Sequence, residues 1–412
     1  MRIRSTRVVT PYGVAPATIH INGERIAAIE RNAAADVDYG DLVIMPGVVD
    51  SHVHVNEPGR TEWEGFETAT RAARAGGTTT IVDMPLNSIP PTTSLDALLT
   101  KRAALDGKCV VDVELWGGIV PGNTDELRAM LAAGARGFKC FLVDSGVEEF
   151  PHVTADQLRE AARELAPTGA PIIVHAELPE FLHEPHGDPS HYETWLESRP
   201  KQAEDAAIAL VCDVARETGA RMHIVHLSSS TAIPMLAKSN VTAETTPHYL
   251  HFASETIPDG HNEYKCAPPI RERENREALW RALADGVIDL VVSDHSPCTP
   301  ALKEGAIMEA WGGIASMQFV LPITWTNASR RGHSLNDLAR WICAAPAKLA
   351  RLDRKGAIEV GRDADFVVWS PEDAFVVDES IIEHRHKVTP YLGETLNGVV
   401  RDVWLRGSRL SA

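Results

Sequence analysis

The feature that most constrains the fold of this chain is an eightfold alternation of short apolar runs with amphipathic stretches. The apolar runs have the length of buried strands and lie at residues 42–49, 79–84, 110–116, 136–142, 171–175, 221–226, 241–245 and 287–293. Between them, helical periodicity predicts helices at residues 61–75, 94–105, 124–133, 154–165, 202–218, 229–237 and 272–284. Eight strand-then-helix units over about 300 residues predict an α/β fold, a (β/α)8 barrel of the TIM type.

The alternative is an open, doubly wound parallel sheet, which would not easily use all eight strands. No G-x-G-x-x-G run follows any of these strands, and this also favours the barrel. The two ends of the chain have strand character instead, with an Asn-Gly hairpin signal at residues 22–23. We therefore expect residues 1–45 and 353–412 to form a small β-sandwich together, beside a barrel of residues 46–352.

Composition narrows the classes of partner and compartment. The formal net charge of −17 argues against nucleic acid and anionic membrane surfaces, because both require a basic patch. No run of 18 apolar residues predicts a transmembrane helix, and the polar start of the chain does not resemble a secretory signal. Six cysteines without a C-x-x-C pair predict free thiols in a reducing compartment, so we expect a cytoplasmic protein.

Metal-binding side chains stand at the ends of the predicted strands. His52 and His54 follow the first strand one residue apart, and alternation along a strand would turn both imidazoles to the same side. His175, His226 and Asp294 end the fifth, sixth and eighth strands. Taken singly, the H-x-H pair could be a chance pairing, either later histidine could be structural, and Asp294 could cap a helix. Together they would meet at the carboxyl end of a barrel, where barrel enzymes place their chemistry.

Lys139 is the sixth member of this set, and it lies inside an apolar strand. A buried ammonium without a partner is costly, so its amine is expected to be neutralised or paired. Conversion to a carbamate would make it an anionic bridge between two cations about 3.5–4 Å apart.

The chain resembles the amidohydrolase superfamily, in the cyclic amidase branch that contains dihydroorotases, hydantoinases and allantoinases. The resemblance rests on residues 46–54 (PGVVDSHVH), 137–139 (GFK), 246–249 (TPHY) and 356–365 (GAIEVGRDAD), and it covers essentially the whole chain. It implies that His52, His54 and Asp294 hold one divalent metal, that His175 and His226 hold a second, and that carboxylated Lys139 bridges them. Zinc is the expected metal, with iron, cobalt or manganese as alternatives, and carbon dioxide supplies the carbamate.

The resemblance also implies a mechanism and an assembly. Asp294 would act as the catalytic general base that takes a proton from a metal-activated water and passes it to the leaving ring nitrogen. The family further implies a homotetramer that acts on a small molecule.

Two positions separate the branch members. Dihydroorotases carry an arginine two residues after the second histidine of H-x-H, whereas this chain has Asn56, which suits an uncharged ureide. Hydantoinases place a tyrosine shortly after the lysine, whereas the nearest hydroxyl here is Ser145. Runs similar to allantoinases lie at residues 54–61, 64–68, 83–88, 293–298, 311–315 and 386–391. This resemblance implies ring opening of allantoin to allantoate.

The expected substrate contacts follow strand ends or open loops, and the residue types are those of ordinary turns as well. They are Asn56, Asn87, Ser88, Cys266, Ser296 and Gly313. The alternatives are a hydantoinase (dihydropyrimidinase) or dihydroorotase activity, or a non-catalytic scaffold relative. The six filled ligand positions argue against the scaffold.

Overall fold

The computed structural model describes residues 1–31 and 33–410, so residue 32 and the last two residues of the predicted C-terminal segment lie outside the described residues. The N-terminal strands are β1 (Arg2–Thr10), β2 (Gly13–Asn22), β3 (Arg25–Glu30), β4 (Val37–Asp38) and β5 (Val43–Pro46). The barrel strands are β6 (Val48–Val53), β7 (Thr78–Asp83), β8 (Asp112–Leu115), β9 (Gly117–Gly118), β10 (Phe138–Phe141), β11 (Ile172–His175), β12 (Met222–Ile224), β13 (Thr242–Thr245) and β14 (Leu290–Val291). The C-terminal strands are β15 (Phe366–Val376), β16 (Thr395–Leu405) and β17 (Ser408–Arg409).

The α-helices fall mainly between the barrel strands. They are α1 (Phe66–Ala75), α2 (Leu95–Ala103), α3 (Leu127–Ala132), α4 (Ala155–Leu165), α5 (Tyr192–Ser198), α6 (Lys201–Thr218), α7 (Ile233–Leu236), α8 (Pro247–His251), α9 (Arg273–Ala284), α10 (Val320–Arg330), α11 (Leu335–Ala339) and α12 (Ala345–Leu349). A π-helical turn, Arg340–Ala344, joins the last two. Short 3₁₀ turns lie at Thr124–Glu126, Ala166–Thr168, Pro179–Phe181, Ser230–Ala232, Ser254–Thr256, Asn262–Tyr264, Pro300–Lys303 and Met317–Phe319. Among the described residues, no helix combines the length and apolar character needed to cross a membrane.

The parallel strands form the predicted barrel. β6, β7 and β8 pair in sequence, and β9 to β14 pair in sequence, with β8 and β9 forming one interrupted strand. The circle closes through a parallel bridge between Val53 and His295. Because parallel strands are covered by helices on their outer side, their residues alternate between two apolar cores. Ile172 and Val174 pack outward against the helices, whereas Ile173 belongs to the core inside the barrel.

The two ends of the chain build one mixed sheet of eight strands, in the order β17-β16-β15-β5-β1-β2-β3 with β4 beside β1. Alternate residues of this sheet face different cores. Ile44 and Val368 pack with other residues of the terminal segments, whereas Val43 and Trp369 belong to the large core shared with the barrel. This second face anchors the terminal unit to the barrel.

The structure corrects two predicted elements. The predicted first strand, residues 42–49, is two strands, because β5 pairs antiparallel with β15 in the terminal sheet and β6 starts the barrel at Val48. The terminal sheet thus reaches Pro46, next to the predicted domain boundary. The first helix begins at Phe66 rather than at residue 61, because Gly65 has a φ of 93° and only the residues after it are helical.

Candidate active site

Strand alternation turns the predicted residues into the barrel. In β10, Phe138 and Cys140 pack outward, so Lys139 between them points inward. In β11 the inward position of Ile173 places His175, two residues later, on the same side. His52, His54, Lys139, His175, His226 and Asp294 all line one cavity of about 360 Å³. The structure therefore brings all six predicted metal-site residues together.

The first group of candidate ligands surrounds Asp294. The ligand atoms of His52, His54 and Asp294 lie within 4.8 Å of one another. The Oδ1 atom of Asp294 is 3.1 Å from Nε2 of His52 and 3.7 Å from Nε2 of His54. Burial alone would raise the pKa of the Asp294 carboxyl, but the charge and hydrogen bonds of the two imidazoles hold it well below its ordinary value. Asp294 is therefore a carboxylate, ready to act as a ligand and proton acceptor.

The second group pairs the two remaining histidines. Nδ1 of His175 is 3.1 Å from Nε2 of His226, so these two nitrogens face the same space. The other ring nitrogen of His175 is held by Glu177 at 2.7 Å, and Arg199 in turn binds Glu177 at 2.6 Å. Burial lowers the pKa of both His175 and His226, which favours the neutral imidazoles that metal binding requires.

Glu244 orients the first histidine in the same way. Its carboxylate hydrogen-bonds Nδ1 of His52 and lies 3.1 Å from Nε2 of His223. Burial tends to lower the pKa of His52, but the carboxylates of Asp294 and Glu244 raise it to about 8. By contrast, burial lowers the pKa of His54 to about 4. In metal sites, a carboxylate that hydrogen-bonds the other ring nitrogen of a ligating imidazole fixes the tautomer and the ring orientation.

Lys139 is fully buried, and its Nζ atom has no hydrogen-bond partner. The ammonium lies over the ring of Phe141, 4.8 Å from its centroid. Burial lowers the pKa of Lys139 to about 8, in spite of the opposing charges of Asp294 and Glu244. A substantial neutral fraction of this amine therefore exists near physiological pH, and the neutral amine is the form that reacts with carbon dioxide.

These residues fit a divalent metal site. Two carboxylate-backed imidazoles, two further imidazoles and a carboxylate form a donor set suited to borderline cations such as zinc. The buried Nζ of Lys139 lacks a partner within the described structure, and such an unsatisfied atom is costly unless a ligand is supplied. Divalent metal binding is therefore the chemistry that the arrangement supports.

Residues with strained backbone conformations cluster at this site. Four non-glycine residues of the barrel mouth have a positive φ: Asn56 and Asn87 at 66°, His226 at 37° and Asp294 at 47°. Such conformations cost about 1–3 kcal/mol for residues other than glycine, with asparagine the most tolerant. The turns aim His226 and Asp294 into the cavity immediately after their strands.

The predicted substrate contacts divide into two groups. Asn87, Cys266, Ser296 and Gly313 line the cavity, and the side-chain oxygen of Asn87 is buried without a partner. The other two predicted contacts, Asn56 and Ser88, are fully buried and lie outside its lining. Asn56 donates its amide to the carbonyl of Pro297 at 3.2 Å, so it joins two loops of the barrel mouth.

Sequence reasoning missed the residues that orient the candidate ligands and several that line the cavity. Glu177 and Glu244 had a signal, since each is a carboxylate in or just after an apolar strand, but nothing local identifies its partner. Trp195, Arg199, Lys265 and Trp311 line the cavity from loops or short helices. His295, next to Asp294, points elsewhere: its Nε2 atom is 3.5 Å from Glu64.

Comparison with known proteins places this site in a family. The model of the amidohydrolase family matches residues 43–410. An allantoinase of Streptomyces avermitilis is 51% identical over all of this chain and 95% of its own length. An allantoinase of Arabidopsis thaliana is 43% identical over 98% of this chain and 87% of its own. The solved structure of L-hydantoinase (dihydropyrimidinase) from Arthrobacter aurescens superimposes with a TM-score of 0.92 at 30% identity, over 100% of this chain and 95% of that one. The chain therefore belongs to the amidohydrolase family and aligns over its whole length with allantoinases of that family.

Proposed function

We propose that this protein hydrolyses the ring amide of allantoin and releases allantoate. The observation that carries the proposal is the alignment with allantoinases over the whole chain, at 51% identity for the Streptomyces avermitilis enzyme. The cavity agrees with it chemically. It combines a buried carboxylate, four imidazoles and an unpartnered lysine, which together suit metal-assisted amide hydrolysis.

The proposed metal ligands form two sets. His52, His54 and Asp294 would hold one divalent ion, His175 and His226 would hold the other, and Lys139, as a carbamate, would join the two. Zinc is the proposed metal, with iron, cobalt or manganese able to replace it. Such ions would polarise the amide carbonyl and lower the pKa of a bound water, so that a hydroxide nucleophile would be available near neutral pH.

Asp294 is the proposed general base. Its low pKa keeps it ionised, and it lies between the two imidazoles of the first ligand group. It would accept a proton from the attacking water and return it to the ring nitrogen as the carbon–nitrogen bond breaks. The hydroxyl of water then remains on the carbonyl carbon, so the ring opens to a carboxylic acid, which loses its proton to solvent at neutral pH, and to a nitrogen that carries the transferred proton.

Substrate recognition would use the cavity wall. The unpartnered side-chain oxygen of Asn87 can accept a hydrogen bond from a ureide N–H. Gly313 has a φ of 142°, and an added Cβ there would lie 2.3 Å from the carbonyl oxygen of Ser296. Gly313 and Ser296 therefore lie too close together for any side chain at position 313. Asn56 would act indirectly, through Pro297.

A hydantoinase activity is the second candidate, because the solved L-hydantoinase has the same fold with a TM-score of 0.92. The tyrosine expected of hydantoinases is absent from residues 140–147. The hydroxyl of Ser145, the nearest one, is not free to donate to the substrate in its place. Its hydroxyl donates to the carbonyl of Phe150 at 2.6 Å, although the residue lines the cavity.

A substrate comparison tests the proposal. Protein loaded with metal in bicarbonate buffer would be given allantoin, hydantoin or dihydroorotate, and ring opening would be followed for each. We expect kcat/KM for allantoin to exceed the others by about a hundredfold, which corresponds to about 2.7 kcal/mol of transition-state discrimination. A preference for hydantoin or dihydroorotate would overturn the assignment of the substrate and leave the metal chemistry in place.

We also propose a homotetramer in the cytoplasm. The family resemblance supports the assembly, and the free cysteines support a reducing compartment. Light scattering after size-exclusion chromatography would give the mass of the assembly, and fractionation of the source cells would locate it. A monomeric mass would contradict the first proposal.

A further inference from the structure

One wall of the cavity lacks the support of regular secondary structure. The wall segment, residues 308–313, contains no helix or strand, yet Glu309, Ala310, Trp311, Gly312 and Gly313 all line the cavity. Glu309 is exposed, whereas the six proposed ligand residues are buried. Residues 309, 311 and 312 of the wall segment therefore form an outer part of the cavity, whereas Ala310 and Gly313 are buried, and contacts from elsewhere hold the backbone of the segment.

Lys303 supplies the first of these contacts. Its ammonium donates to the carbonyl oxygens of Trp311 at 2.8 Å, Gly313 at 2.6 Å and Asn262 at 3.3 Å. An ammonium has three N–H donors, so all three are used on backbone carbonyls. Lys303 thereby ties the end of the wall segment to the loop that contains Asn262.

Lys265 supplies the second set of contacts. Its ammonium donates to the carbonyl oxygens of Met308 at 3.0 Å and Ala310 at 2.6 Å. It also lies over the ring of Trp195, 4.3 Å from the centroid. In the other direction, the backbone carbonyl of Lys265 accepts from the N–H of Gly313 at 2.7 Å. The two lysines together bind four of the six carbonyl oxygens in the wall segment.

The charge on these lysines is compensated mainly by backbone carbonyl oxygens. Neither forms an ion pair among the described residues, and the nearby carboxylate of Glu263 lies 2.8 Å from His261 instead. Burial, together with the charge of Lys303, lowers the pKa of Lys265 to about 8, and burial lowers that of Lys303 to about 8 as well. Burying an ammonium without a carboxylate is unfavourable. In return, each ammonium forms strong, charge-assisted hydrogen bonds to backbone carbonyl oxygens.

We propose that Lys303, supported by Lys265, is a positioning residue that fixes the wall segment and thereby sets the affinity of the site for the ureido group of allantoin. This inference rests on the proposed function. The scissile carbonyl must lie among the buried ligand residues, so the rest of the substrate extends outward, toward the walls. Hydantoin is the same ring without the ureido group, and it therefore depends less on the position of an outer wall.

The test compares two substrates in one variant. Lys303→Met keeps the length of the side chain and removes its three donors, and Lys238→Met, at an exposed lysine, is the matched control. We expect Lys303→Met to retain its metal and a kcat within about threefold of wild type. Its KM for allantoin should rise about tenfold, equivalent to 1.4 kcal/mol, while its KM for hydantoin changes by less than about threefold.

The outcomes separate this inference from the proposed function. Equal losses on both substrates, or an unchanged KM for allantoin, would overturn the positioning role of Lys303. If Lys303→Met does not fold, Lys265→Met gives the same comparison with a smaller expected rise, because it removes bonds to two carbonyls instead of three. If the wild-type protein does not open allantoin, the proposed function fails, and the inference about the ureido group fails with it.

Discussion

Two buried lysines of the barrel make opposite contributions to stability. Lys101 and Lys139 are both fully buried. The ammonium of Lys101 lies 2.6 Å from the carboxylate of Asp83 and 2.7 Å from the carbonyl of Met84, whereas that of Lys139 has no hydrogen-bond partner. Replacing each by methionine, which has a similar length and no charge, should therefore change the free energy of unfolding of the metal-free protein in opposite directions.

The magnitude for Lys139 follows from its pKa. Burial lowers it from 10.5 to about 8. At 1.36 kcal/mol for each pH unit, this difference corresponds to about 3 kcal/mol of folding free energy lost to the buried charge. The penalty is complete below pH 8 and disappears as the pH rises to 10.5, where the unfolded chain also loses its proton. Lys139→Met should therefore be more stable than wild type by up to about 3 kcal/mol at pH 7, and the advantage should shrink above pH 8.

Lys101→Met is the matched comparison. It leaves the carboxylate of Asp83 buried without its counter-charge, although the N–H of Val55 still donates to it. Breaking a buried ion pair by removing one partner costs about 3–5 kcal/mol. This variant should therefore be destabilised by about that amount at neutral pH.

The assay is urea unfolding of chelator-treated protein, followed by tryptophan fluorescence and circular dichroism, with metal content and activity measured on untreated samples. Lys139→Met should unfold at a higher urea concentration than wild type, hold little metal and have little activity. A variant that is less stable than wild type would refute the argument from the buried charge. One that keeps full metal content and rate would refute the bridging role.

Three further predictions concern the residues around the candidate metal site. Glu244→Gln should weaken metal binding by about 10–100-fold, because it removes the carboxylate that orients His52. Glu114→Gln, which removes a carboxylate paired with Arg136, is the control and should leave metal affinity unchanged. Competitive chelator titration measures the metal affinity of both variants. Burial raises the pKa of Glu244, but the charge of His52 and hydrogen bonds from His223 and His52 lower it to about 2. The stability that this carboxylate contributes should therefore be lost as the pH falls from 4.5 toward 2. A stability difference between wild type and Glu244→Gln that does not shrink in acid would contradict this. Asp294→Asn should lower kcat by at least about 10²-fold on protein shown to be folded and metal-loaded, because the amide cannot accept the proton; a smaller loss would exclude Asp294 as the base.

Local patterns were sufficient to predict the architecture and the six candidate metal-site residues that line one cavity. The period of the apolar residues predicted the strands and helices, and alternation within a strand predicted that His52 and His54 face the same side. The rule that barrel chemistry lies at the carboxyl ends of strands then brought together residues as distant as His52 and Asp294. Each of these steps depends on a few neighbouring residues or on the general geometry of the barrel.

Prediction failed where the local pattern had two solutions. Residues 42–49 form one apolar run, but the chain passes from the terminal sheet to the barrel within it, between β5 and β6. A buried strand in either place needs the same apolar residues, so periodicity could not locate the transition. The role of Asn56 was similarly ambiguous, since its residue type suits a substrate contact and a loop contact alike.

The sequence by itself determined the fold class and the set of side chains at the barrel mouth, because strand period and parity are properties of short segments. Only the tertiary structure decided how those side chains are held. Glu244 meets His52 across 192 residues of chain, and Lys303 reaches the carbonyls of Trp311 and Gly313 through a loop without regular structure. Such contacts depend on strand register, barrel closure and loop packing, and these arise only when distant segments exclude water from a common core.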